Sequence, residues 1–267
     1  MLVLLPPSEG KAHPPTRGRP LNLPGLSFPE LASARTRLID ALVAVCSGEA
    51  QAARRTLGLS PGLAAQVQLN RQLLRTPVRP AADLYTGVLY DALDLGSLPV
   101  TARRRAARSL LVFSSLWGVL RLTDRVPAYR MSPDVLLPGV GPLTAHWREP
   151  LASAMAPVTA RGLVLDLRST GYASMWRPTG STVDRTVTLR VLHERHPGDA
   201  GSRTIVSHFN KATKGRLVRD LLMAGADPRT PAALAGLLAD LGYAAESTPT
   251  ATGAARPHRL DIVVRDL

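Results

Sequence analysis

Leu2-Val3-Leu4-Leu5-Pro6-Pro7-Ser8-Glu9-Gly10-Lys11 is the stretch on which the fold turns. The four-residue apolar run has the length of a short strand covered on both faces. The two prolines then end backbone pairing, because each removes an N–H donor. Ser8, Glu9 and Lys11 then place a hydroxyl, a carboxylate and an ammonium within four residues. Loops leaving the carboxyl ends of buried strands are where α/β proteins assemble their sites. Lys11 does not belong to a Walker A loop, whose longer glycine-framed cradle is missing here. A solvated turn would use the same residue types, so the loop alone leaves both readings open.

Working outward, Leu110–Phe113 and Leu163–Leu167 are further continuous apolar runs suited to central strands. Val187, Leu189 and Val191 alternate with polar residues, as do Leu260, Ile262 and Val264, and read as half-exposed strands. Thr204–Phe209 reads as another short strand, leading into a helix from about Ala212 to Met223 that Gly225 stops. Leu31, Ala34, Leu38, Leu42 and Val45 share one helical face. Ser60-Pro61 predicts a helix start, running to about Leu74, and Thr101 caps a helix with Arg103, Arg104, Arg105 and Arg108 outside. Thr230-Pro231 opens a helix through Leu241, closed by Gly242. The sum is an α+β (mixed α/β) fold: one domain over 1–267, with a central mixed sheet flanked by helices.

Composition bounds the rest. A 267-residue chain with 45% hydrophobic residues can build a sizeable core and is not a disordered protein. One cysteine, Cys46, excludes an internal disulfide framework and Cys-rich metal sites. It falls on the apolar side of a helix, as a buried structural thiol does. The formal charge of +13 points to an anionic partner. Of the 33 basic residues only Lys11, Lys211 and Lys214 are lysines. A compact ammonium with a tunable pKa is what arginine cannot imitate. The start of the chain lacks the basic and apolar regions of a targeting signal, and no apolar run reaches membrane-spanning length. A cytoplasmic protein without membrane contact is expected.

Five segments spend residue types that a fold alone does not request. Ser8–Lys11 is the first, and Leu84-Tyr85-Thr86-Gly87 the second, offering a ring for stacking or simply a packed turn. The third runs from Ser114-Ser115-Leu116-Trp117-Gly118 to Arg121, Asp124, Tyr129 and Arg130. Its hydroxyls and arginines suit phosphate contacts, or Asp124 braces the loop against Arg121 or Arg130. The fourth, Leu137-Pro138-Gly139-Val140-Gly141-Pro142, matches the Gly-hydrophobic-Gly turn of a helix-hairpin-helix element, with a plain turn as the alternative. The fifth is Ser207–Arg216 with Arg219, where Lys211 and Lys214 share a face at an expected helix start. Cations there oppose the helix dipole, a conflict that anion binding would explain. His193 and His196 form an HxxH pair without a carboxylate pattern, so no metal site and no cofactor is expected.

Together LVLLPPSEGK, LYTGVL, SSLWGVLRLTDRVPAYR, LTAHW, LDLRSTGY, SHFNKATKGRLVRDLL and Gly242-Tyr243 resemble the YaaA family of peroxide-stress proteins over nearly the whole chain. The chain departs from the family pattern at Ala128, inside the usual Pro-Tyr-Arg run, and at Gly171, where a glutamate is usual. It has the Pro-Ser-Glu-Gly-Lys form of the first loop, and Lys214-Gly215 where others show Lys-x-x-Arg-Gly. The resemblance implies a cytoplasmic α/β protein with a positively charged cleft and duplex DNA binding through a helix-hairpin-helix element. It further implies protection during peroxide stress by limiting damage from unincorporated iron.

The expectation is therefore a DNA-binding protein, favoured as a monomer, whose phosphate contacts come from Ser8, Lys11, Ser115, Arg121, Arg130, Gly139, Gly141, Lys211, Lys214 and Arg219. The alternative is an enzyme acting on a nucleotide or nucleobase-like molecule, with Lys11, Lys211, Ser207 and Tyr172 in the catalytic roles and Ser8, Glu9, Tyr85 and Ser115 in the same pocket. That role demands a lysine of depressed pKa. A basic protein–protein adaptor, in which the polar cluster shares no pocket, is the third possibility.

Overall fold

A computed structural model describes residues 1–196, 198–248 and 256–264, with all their side chains but those of Ala200, Ser207, His208 and Thr248. The Leu2–Leu5 run forms β1, and it lies in the interior of an eight-stranded sheet. The other strands are β2 (Leu110–Ser114), β3 (Gly118–Arg121), β4 (Val164–Asp166) and β5 (Thr186–Glu194). Three more complete it: β6 (Arg203–Thr204), β7 (Ala244–Thr248) and β8 (His258–Val264). The spatial order is β7-β8-β5-β4-β1-β2-β3, with β6 beside β5. β1 runs parallel to both neighbours, in register Val3 to Leu110 and Val3 to Leu165. β4, β5 and β8 continue the parallel block, while β3, β6 and β7 pair antiparallel with β2, β5 and β8. The expected mixed sheet is there, and its parallel centre explains why the apolar runs are continuous.

The longer helices are α1 (Ala32–Ser47), α2 (Val100–Ser109), α3 (Leu143–Thr159), α4 (Ser207–Ala224) and α5 (Pro231–Asp240). Leu38, Leu42 and Cys46 bury the predicted face of α1, and burial pushes the Cys46 thiol up from its ordinary value. Arg35 on the same helix is fully buried and donates to the carbonyls of Ser27, Trp117 and Val119, tying α1 to β3. Three Nη and Nε donors find carbonyl partners, which is how a buried guanidinium avoids an unmet desolvation cost.

Several expectations change. Thr101 lies inside α2, which starts at Val100 after Pro99. Ser60-Pro61 opens only a short 3-10 turn, Pro61–Leu63, and the next helix, Ala65–Arg71, ends before Leu74. Leu260, Ile262 and Val263 are all buried, so β8 is not half-exposed: it sits between β5 and β7 rather than at an edge. Buried Asp261 fits there because Arg190 of β5 pairs with it at 2.5 Å. Thr204–Phe209 is a strand only at its first residue, and α4 begins at Ser207. Lys211 and Lys214 therefore lie one to two turns inside the helix, and the expected conflict with its dipole is removed.

α4 runs opposite to the parallel strands. Its last turn receives Arg105 of α2 at the Leu222 carbonyl, and Asp227 just beyond it pairs with the Met1 ammonium at the start of β1. Its first half thus stands at the carboxyl edge of the sheet. Gly215 permits the close crossing with the short helix Val88–Leu93, since a Cβ there would meet the Leu89 oxygen at 2.2 Å.

Candidate functional site

Because β1, β2 and β4 are parallel, the loops after them open on one edge of the sheet. β1 delivers Ser8 to Lys11, β2 delivers Ser114 and Ser115, and β4 delivers Arg168 and Tyr172. Lys11 is held by its backbone: it bridges Tyr85 as an antiparallel pair, and Ala12 donates to the Leu84 carbonyl at 2.8 Å. Its Nζ donates to the Ser8 carbonyl at 2.9 Å and lies 4.2 Å from the centre of the Tyr129 ring and 5.6 Å from that of Tyr85. Ser8 itself accepts from the Thr86 amide at 3.1 Å, locking the two loops together.

Four of the five tyrosines gather around this lysine. The Tyr129 hydroxyl is 2.6 Å from Ser114 Oγ and 3.2 Å from the Tyr85 hydroxyl, making a buried chain of hydroxyls. Tyr90 stacks on Tyr85 at 5.5 Å between centroids and donates to the Pro6 carbonyl at 2.7 Å. Tyr172 stands beside Ser115, whose Oγ is engaged by the Met131 carbonyl at 2.6 Å. Burial pushes all four phenols up, so each stays a neutral hydrogen-bond donor.

Lys11 responds in the opposite sense. Desolvation first, then the neighbouring Arg130 charge, lowers its pKa to about 7, against the opposing pull of Glu9. Ring contact with Tyr129 favours the ammonium as well, by about 0.5–2 kcal/mol. Burial nonetheless wins, because an ammonium taken out of water loses several kcal/mol of solvation. Arg130 pairs with exposed Glu9, not with Asp124. The Asp124 carboxylate instead accepts from the Ser27 amide and hydroxyl and the Arg121 amide, so its bracing partners are backbone and serine.

The sheet sorts the remaining candidates. Lys214 is partly buried near Asp166 at the end of β4, and desolvation lowers its pKa. Asp166 is itself clamped by Arg168 through two hydrogen bonds of 2.9 and 2.7 Å, and that guanidinium packs over the rings of Phe113 and Trp176. Lys211 is exposed. Arg121 is not at this edge: β3 runs back from Ser114, which puts Arg121 opposite Leu111 at the far end of β2. Arg219 is not in the cleft either, since it donates to the Leu93 and Asp94 carbonyls and to Ser97 Oγ, bracing the end of the helix Val88–Leu93. The side chain of Ser207 lies outside the described residues. Tyr90 escaped the sequence reading. It falls one residue past the LYTGVL segment, and only its stacking on Tyr85 brings it into the site.

A second region lies at the start of α3. Leu136–Leu137 pairs with Gly141–Pro142 as a hairpin, with Gly139 at φ 74° and Gly141 at φ 81°, values that only glycine adopts without strain. α3 begins at once, with no side-chain cap and no acidic residue in its first turn. A glycine hairpin running directly into a helix is present. The preceding helix that a helix-hairpin-helix element needs is not, because residues 127–133 are irregular and Pro127 and Pro133 interrupt any helical run. Exposed Arg37 donates to the Gly139 carbonyl. Beside the first turns of α3 lies a groove of about 510 Å³ lined by Thr144, Arg148, Ala152, Ser174, Met175, Trp176, Arg177 and Thr179, without an acidic side chain. Arg148 and Arg177 were not singled out by the sequence, because nothing in a lone arginine announces which groove it borders.

Among the described residues no group of three or more His, Cys, Asp or Glu side chains could hold a metal ion, and no helix is long and apolar enough to cross a membrane.

Comparison with known proteins covers the full length. The family model described as peroxide stress protein YaaA matches residues 1–248. A UPF0246 protein of Streptomyces coelicolor is 54% identical over 267 residues, covering 100% of both chains. A UPF0246 protein of Corynebacterium efficiens is 40% identical over 252 residues, 93% of this chain and 94% of that one. One from Corynebacterium glutamicum is 38% identical over 253 residues, 93% of this chain and 96% of its own.

Proposed function

Because the chain belongs to the peroxide-stress YaaA family, we propose that it protects the cytoplasm under peroxide stress by binding the backbone of duplex DNA as a single chain. The observation that carries this reading is the arginine-bordered groove at the uncapped start of α3, next to the Gly139–Gly141 hairpin. Backbone N–H groups at a helix start and a glycine hairpin offer fixed donors to a phosphate. Arg37, Arg148 and Arg177 add charge that is solvent-exposed and therefore within reach of a duplex. Such binding is weakly sequence-dependent and strongly salt-dependent, because it releases counterions.

The residues first expected to make these contacts divide. Gly139 and Gly141 belong to the proposed face, whereas Lys211 is exposed on α4. Ser115, Tyr85, Tyr90 and Tyr129 are too deeply buried to reach a phosphate backbone. Iron and peroxide together generate radicals that cut DNA, so covering the duplex would limit the damage done by unincorporated iron. The test is plasmid nicking by ferrous iron and peroxide. Protection is expected from the natural chain and is expected to fall in Arg148→Ala/Arg177→Ala. Protection equal in both proteins, or none in either, contradicts the reading.

A further inference from the structure

We propose that Lys11 is the nucleophilic amine of a second site, one that takes a small 2-oxo acid and holds it as an imine. The site goes beyond DNA binding, since it is built from the buried side of the molecule and uses none of the residues at the hairpin. Three independent features meet there. The Lys11 backbone is pinned by the Tyr85 bridge, so the amine is positioned rather than swinging on a free loop. Its Nζ lies against the Tyr129 and Tyr85 rings and is cut off from most water, a desolvation that outweighs the rings' attraction for a charge, while the residue as a whole keeps partial contact with solvent. The guanidinium of Arg130 stands close enough to repel an ammonium at that position and is paired with a carboxylate, that of Glu9.

A lysine desolvated next to a second cation is an arrangement that produces a neutral, nucleophilic amine. At pH 7 about half of Lys11 is unprotonated, with its pKa near 7, whereas only about 0.04% of an ordinary lysine is. The Glu9 side chain is 68% exposed and is released to water at little cost, so a substrate carboxylate can take its place on Arg130. That exchange selects a carbonyl compound bearing an acid group. The amine lone pair then attacks the keto carbon, forming the C–N bond while the C=O π pair moves to oxygen. Both amine protons pass in turn to that oxygen, which leaves as water while the C=N bond closes. The balance is amine plus ketone giving imine plus water, with no oxidant or reductant consumed. The buried hydroxyls of Ser114, Tyr129 and Tyr85 bond to one another and stay neutral, so they add no charge beside the amine.

The experiment is borohydride trapping with pyruvate at pH 7 on the full chain, then peptide mass mapping, with acetone as the comparison carbonyl. Three lysines make the read-out simple. Reduced pyruvyl adduct is expected at Lys11 in about ten-fold excess over Lys211 and Lys214, in keeping with its larger neutral fraction. Acetone is expected to trap far less. Lys11→Arg should abolish the adduct, and Arg130→Gln, which leaves the amine in place, should reduce the preference for pyruvate over acetone. Adduct spread evenly over the three lysines, adduct at Lys214 in place of Lys11, or no adduct overturns the proposal. Equal trapping of acetone and pyruvate overturns the assignment to 2-oxo acids.

Discussion

Two basic regions of this molecule differ in how they use their charge. At the carboxyl edge of β1, β2 and β4, Lys11 and Arg168 are enclosed by aromatic rings, and each charge is either paired or suppressed. At the start of α3, Arg148 and Arg177 stand in solvent beside a groove without carboxylates, and exposed Arg37 stands at the hairpin. A net charge of +13 describes both equally and so describes neither. Burial converts a cation into a reagent or a structural tie, whereas exposure leaves it as a contact for a polyanion.

The widest contrast is expected at the buried Asp166–Arg168 pair. Asp166→Asn leaves a guanidinium with 0% side-chain exposure short of its counter-charge, and the expected loss is about 3–5 kcal/mol by urea unfolding. The same measurement on Arg148→Ala should move stability by no more than about 0.5 kcal/mol. A similar loss in both variants would erase the distinction between the regions. Gly215→Ala comes next, since its methyl group would collide with the Leu89 oxygen and push α4 away from the tyrosine cluster. A cost of about 1–3 kcal/mol is expected.

Lys11 separates the regions through pH. Its folded pKa of about 7 lies below its ordinary value of 10.5, so between those values the unfolded chain holds a proton that the folded chain has released. Stability relative to Lys11→Met should therefore rise with pH across that window and be flat below about pH 7. Unfolding curves for both proteins between about pH 6 and pH 9 read this directly. A difference that does not change with pH would mean that Lys11 keeps an ordinary pKa.

Much of the fold was legible from particular residues. Continuous apolar runs at Leu2–Leu5, Leu110–Phe113 and Leu163–Leu167 mark strands buried on both faces, and all three became neighbours in the parallel centre. Boundaries were less legible where tertiary contacts overrode local signals. α4 starts at Ser207 rather than Ala212, so the local reading displaced both of its lysines along the helix. The site loop after β1 was visible because chemistry-bearing residues come directly after a buried strand. Its enclosure was not, since Tyr85, Tyr90, Tyr129 and Tyr172 come from separate segments that only the sheet brings together. Arg121 and Arg219 looked alike in sequence to Arg130, and the antiparallel return of β3 and the length of α4 carry them away from Lys11.

The most direct test of the division between the two regions is the salt dependence of duplex affinity in the natural chain, Arg148→Ala/Arg177→Ala and Lys11→Met. Each phosphate contact contributes about −0.9 to the slope of log affinity against log salt. The arginine double variant should therefore lose nearly two from the magnitude of that slope, while Lys11→Met keeps the slope of the natural chain. A slope that Lys11→Met flattens and the arginine variant leaves intact would place the duplex at the buried edge and contradict that division.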